Sequence, residues 1–119
     1  MSRERGKAAE TFAEQWLAQK GLQPLERNLH LAGAELDLVM LDGDTVVFVE
    51  VRHRQQDDYG DGIETVSRRK RRLMARAAEC FMATRGPDRD GRFDLIAIDG
   101  SLESPRIDWL PDAFDLDDI

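Results

Sequence analysis

Apolar residues recur along this chain at two different periods, and each change of period marks an element. Between Arg3 and Lys20, the residues Ala8, Ala9, Phe12, Ala13, Trp16 and Leu17 return at three- and four-residue spacing. That is the stripe of an amphipathic helix, and Gly21 is its stop. Glu10 lies in the row with Ala13 and Leu17, at the stripe's edge, where it can turn toward a sheet. From Leu22 the pattern becomes alternation and short apolar runs. Leu22 to Leu31, Glu35 to Leu41 and Thr45 to His53 read as strands. Pro24 predicts that the first is an edge strand or starts late. Ala32-Gly33 is a turn, and Asp42-Gly43-Asp44 is a hairpin signal.

Gln55 to Gly62 is a polar loop. A second helix is predicted from an N-cap at Ser67 to about Thr84. Its expected stripe is Val66, Leu73, Ala77, Cys80, Phe81 and Thr84, with Lys70 inside it; Gly86-Pro87 ends it. Phe12, Trp16, Cys80 and Phe81 are expected in the core, and Trp109 either in the core or as a lid. Arg92 to Asp99 is another strand, and Ile107 to Leu110 a last short one. A hairpin followed by a helical crossover predicts an α/β fold: a mixed sheet flanked by helices, in the order α-β-β-β-α-β. Residues 1–111 read as one domain, and 112–119 as an acidic, disordered tail.

Two of these strands carry acids where plain hydrophobic residues belong. Burying a carboxylate costs several kcal/mol unless it is paired, hydrogen-bonded or bound to a cation. In a strand, residues two apart share a face. A two-residue hairpin loop would place Asp37 and Glu50 on one face, opposite or diagonal to each other; a three-residue loop would not. Two such acids suit a hard divalent cation, Mg²⁺ or Mn²⁺, which needs oxygen ligands and retains waters. Arg52 shares the face of Glu50. Glu10 could add a ligand, and Glu35 lies on the Asp37 face, free to serve the site or the neighbouring turn.

Composition narrows the partners. Apolar residues make up 41% of 119 and charged residues 34%, enough for one modest core under a solvated surface. No apolar run approaches a membrane span, the N-terminus lacks the apolar core of a signal peptide, and Cys80 is alone. These features predict a cytoplasmic protein. The net charge is -7, but its distribution is uneven. Residues 52–76 hold eight basic and four acidic groups, and residues 99–119 seven acidic and one basic. A basic face remains free to meet phosphates.

Gly6-x-x-x-Glu10-x-x-Ala13, Glu26-Arg27-Asn28, Glu35-Leu36-Asp37-Leu38 and Phe48-Val49-Glu50-Val51-Arg52-x-Arg54 occur in that order. Tyr59-Gly60, Val66, Lys70 to Leu73 and Arg92-Phe93-Asp94 follow. Together they resemble the YraN family of small bacterial proteins, which looks like the PD-(D/E)XK nucleases, archaeal Holliday-junction resolvases in particular. The resemblance implies a restriction-endonuclease-like fold and a metal-dependent endonuclease acting on structured or branched DNA. It implies Asp37, Glu50, Glu10 and the Val51 carbonyl as metal contacts, and a catalytic set of Asp37, Glu50, Arg52 and Glu10. A resolvase-like enzyme also suggests a homodimer, since a four-way junction has two cuts to make.

This chain departs from the family pattern at Ala34, His30 and Arg52, the last replacing a lysine. An arginine is a poor base but can clamp a phosphate. Lys70, on its helix stripe, is the candidate to cover for the lysine. Arg27, Arg54, Arg69, Lys70 and Arg72 are the expected nucleic-acid contacts. The rival readings are an inactive nucleic-acid-binding module on the same fold, and a protein-interaction domain.

Overall fold

The predicted elements form in the predicted order, and the last strand is longer than its sequence signal. The computed structural model describes residues 3–54 and 66–114. Helix α1 (Arg3–Gln19) precedes β1 (Gln23–Leu31), β2 (Ala34–Asp42) and β3 (Thr45–Arg54). Helix α2 (Arg68–Arg85) then leads to β4 (Gly91–Asp99) and β5 (Arg106–Phe114). The loop expected over Gln55 to Gly62, with Tyr59-Gly60, lies outside the described residues.

The strands stand side by side in chain order, β1-β2-β3-β4-β5. All neighbours are antiparallel except β3 and β4. A parallel pair needs a long crossover, and α2 lies within it. The result is an α/β fold with a mixed sheet and flanking helices, consistent with a restriction-endonuclease-like architecture. Pro24 sits in edge strand β1, beside a register shift. Asp42 pairs with Thr45, so the hairpin loop is the two residues Gly43 and Asp44. Gly43 has φ +61°, a conformation glycine adopts without a Cβ clash.

Alternation along β3 divides the core between the helices. Val46 and Phe48 pack in the cluster that holds α2, and Val47 and Val49 in the cluster that holds α1. On the α2 side, Met74, Ala77, Ala78 and Phe81 close over the sheet. Phe81 meets Phe48 edge-on at 5.7 Å, and Phe93 stacks on Phe114 at 4.6 Å. On the α1 side, Ala9, Ala13 and Leu17 pack over Leu38, Met40, Ile96 and Ile98. Trp109 and Trp16 sit half-buried at the margin of that cluster, ring to ring at 5.9 Å.

Two expectations need correction. Cys80 is exposed, as is Thr84, whereas Met74, Ala75 and Ala78 are buried. The helix is rolled so that Lys70, Met74, Ala77, Ala78 and Phe81 face inward. Small alanines let α2 approach closely, and Phe81 is set by the aromatic cluster below it. Strand β5 also runs through Asp112 to Phe114, three residues into the expected tail. Phe114 is only 7% exposed. Residues 115–119 lie outside the described residues.

The anchor of β5 is Asp94. Its fully buried carboxylate accepts from Arg92 Nε at 2.9 Å, Trp109 Nε1 at 3.0 Å and the Asp112 N–H at 2.9 Å. These bonds cross the register shift between Phe93 and Leu95. Buried charge is tolerable when donors surround it, so Asp94 is a structural acid.

Candidate functional site

The β2–β3 ladder ends at the pair Leu38–Val49, one step before Asp37 and Glu50 would meet. Asp37 Oδ2 instead accepts the Val51 N–H at 2.9 Å. On the other side of β2, pairing with β1 skips from Arg27–Leu38 to Leu29–Leu36. The residue skipped in β1 is Asn28, whose φ of +51° lies in the left-handed region. Asparagine tolerates that region better than most side chains. The β2–β3 ladder thus stops short of Asp37, while the β1–β2 ladder resumes in the same register beyond it.

Asp37 lines a cavity of about 930 Å³. Lys7 and Glu10 of α1 line one side, and Ser67, Arg69 and Lys70 at the start of α2 line another. Glu35, Asp37, Glu50 and Val51 come from the sheet. Ser67 caps α2, its Oγ accepting the Lys70 N–H at 3.1 Å. The chain enters α2 there, which carries Lys70 over the sheet. Lys70 Nζ forms an ion pair with Glu50 Oε2.

The acids crowd one another. Ligand oxygens of Glu10, Glu35 and Asp37 lie within 4.8 Å of each other. Burial, then the neighbouring charge of Glu50 and a hydrogen bond with it, push the Asp37 carboxyl up to about 8; the Val51 N–H partly offsets them. Burial also raises Glu10, partly offset by a hydrogen bond with Asn28. Glu10 Oε1 is buried without a hydrogen-bond partner among the described residues. An orphaned carboxylate oxygen beside other acids matches the oxygen donor set that Mg²⁺ or Mn²⁺ takes.

The expected site residues fall into two groups. Asp37, Glu50, Glu10, Val51, Arg69 and Lys70 line the cavity together. Arg52 stands behind Glu50, with its Nε 3.9 Å from Glu50 Oε2, and does not line the cavity. Arg54 forms a two-bond ion pair with Asp99, at 2.7 and 3.0 Å, on its register partner in β4. Arg27 lies 3.7 Å from Glu14 of α1, and Arg72 is exposed on α2. His30 is exposed and 3.8 Å from Glu35; His53 contacts the Gly100 carbonyl at 2.9 Å. Asn28 was not singled out as a site residue by the sequence. Its trace was an asparagine, rare in strand interiors, within the Glu26-Arg27-Asn28 motif.

Fold and cavity define a small α/β domain whose sheet opens at one end into an acidic, cation-bordered pocket. The chain belongs to the uncharacterised protein family UPF0102, the YraN family, whose model matches residues 9–98. It is 42% identical over 116 residues to a UPF0102 protein of Stutzerimonas stutzeri, covering 96% of this chain and 97% of that relative. A UPF0102 protein of Pseudomonas aeruginosa is 44% identical over 118 residues, covering 96% and 94%. One from Colwellia psychrerythraea is 35% identical over 116 residues, covering 95% and 90%. No helix among the described residues is long and apolar enough to cross a membrane.

Proposed function

We propose that this protein is a Mg²⁺- or Mn²⁺-dependent endonuclease that hydrolyses phosphodiesters in structured or branched DNA. The observation that carries this reading is the meeting, in one cavity, of partly or fully buried acids with the basic start of α2. Arg68, Arg69, Lys70 and Arg71 fill the first turn of α2, which holds no acid. Cations there oppose the helix dipole, so that turn is built to receive an anion at some cost to the helix.

Asp37, with Glu50 against it and Glu10 across the cavity, would hold the ion. A bound divalent ion would lower the pKa of a water and neutralise charge developing on phosphate. Lys70 and Arg69 would hold the phosphate, and Arg72 would bind the strand outside. Arg52 would act through Glu50, fixing its orientation. Water attacks phosphorus in line with the leaving oxygen, the P–O bond breaks, and the leaving oxygen takes a proton. The products are a phosphomonoester end and a hydroxyl end. Such an enzyme would meet its DNA in the cytoplasm, and two chains as a homodimer would match a junction's two cuts.

The test is incubation with labelled branched and single-stranded DNA in Mg²⁺, Mn²⁺ or EDTA. The endonuclease cleaves only with metal, and Glu50→Gln abolishes cleavage. Retention of DNA without cleavage in any metal identifies the binding module instead. That second reading is favoured by Arg52, which replaces the expected lysine.

A further inference from the structure

We infer that Glu35 is a further ligand of the divalent cation, which sits among Glu10, Glu35 and Asp37. The inference rests on the metal-binding part of the proposed function and not on hydrolysis. The sequence motif directs attention to Asp37 and Glu50, but the charges in the cavity are differently matched. Glu50 already meets a resident cation, since Lys70 Nζ ion-pairs with it and Arg52 Nε stands 3.9 Å away. Beside it, Glu10, Glu35 and Asp37 bring carboxylate oxygens within 4.8 Å of one another. Of the cations near them, exposed His30 lies 3.8 Å from Glu35, Arg27 acts on Glu10 through its charge, and exposed Lys7 lines the same cavity.

A second observation points independently to a ligand. Glu10 is 9% exposed and lines the cavity, yet its Oε1 has no hydrogen-bond partner among the described residues. Asn28, from its left-handed position, serves Glu10 and holds that side chain in the cavity. A buried carboxylate oxygen without a donor is costly, and an oxygen-seeking divalent ion is the partner that would meet it. Three carboxylates, one buried, one half-buried and one exposed, leave an open rim for the waters such an ion retains.

Manganese binding to the full chain without DNA tests this, by electron paramagnetic resonance titration at pH 8.5. Wild-type protein should bind Mn²⁺, and Glu35→Gln should weaken binding by more than about tenfold. Glu35→Asp should weaken it too, because it keeps the charge and shortens the reach. Glu35→Gln should also melt no lower than wild type in EDTA, since it relieves repulsion. Wild-type affinity in Glu35→Gln or Glu35→Asp overturns the inference. Absence of Mn²⁺ binding by the wild type overturns it as well. DNA cleavage measured in parallel is a separate outcome. Bound Mn²⁺ without cleavage refutes the endonuclease and leaves the Glu35 site standing; cleavage with unaltered binding in Glu35→Gln does the reverse.

Discussion

Asp37 is an acid held where an acid is least comfortable, and its titration should be visible in stability. Its carboxyl rises from an ordinary 3.8 to about 8 in the folded chain. The folded state therefore keeps a proton that the unfolded state has lost. This group's contribution is fully present below about pH 3.8 and is lost as pH rises through about 8. In EDTA, melting temperature should show a fall across that window that Asp37→Asn removes. Metal must displace the same proton, so stabilisation by Mn²⁺ should grow from pH 6 to pH 8.5. A metal-induced shift independent of pH would contradict the assignment. Lys70 gives the second residue-scale prediction. Lys70→Ala should lower metal-dependent cleavage by about a hundredfold, whereas Arg52→Lys should change it by less than about threefold, because position 52 does not line the cavity. Unchanged cleavage in Lys70→Ala would remove its phosphate-binding role.

At the scale of elements, α2 has two jobs that its residues separate. Its inward row anchors it to the sheet through Phe81, and its first turn delivers Lys70. Phe81 is 2% exposed, with an edge-on contact to Phe48, so Phe81→Ala should cost about 3–5 kcal/mol in urea unfolding. Its neighbour Cys80 is exposed, and Cys80→Ser should stay within about 0.5 kcal/mol. Equal costs at the two positions would mean that α2 is rolled as the sequence stripe suggested. Strand β5 is held by Asp94 through Trp109 and Asp112. Any test of the acidic end must therefore begin at residue 115, since removal from 112 strips Phe114 from the core.

At the scale of the whole molecule, a chain of net charge -7 is proposed to bind a polyanion. The charge that matters is local. The basic first turn of α2 borders the cavity, and much of the opposing acid lies toward the C-terminal end. Binding to branched DNA, with Ca²⁺ replacing the catalytic ion, should weaken linearly in the logarithm of salt concentration. Arg69→Ala and Arg72→Ala should each reduce that slope by about one. Arg54→Ala should leave the slope unchanged, because Arg54 is committed to Asp99. A slope insensitive to Arg69 would move the DNA path away from α2.

The sequence by itself determined the two helices, the strand order along the chain and the face shared by Asp37 and Glu50. Those features follow from periodicity and from a two-residue hairpin, both of which are local. It also carried the motif acids, which are conspicuous because strands seldom hold them. Only the tertiary structure decided the roll of α2, since Leu73 and Met74 are equally apolar and packing against Phe48 chose between them. It alone showed Asn28 in a left-handed kink and Glu35 beside Glu10. Both depend on where β1, β2 and α1 meet in space, and no local period encodes that meeting.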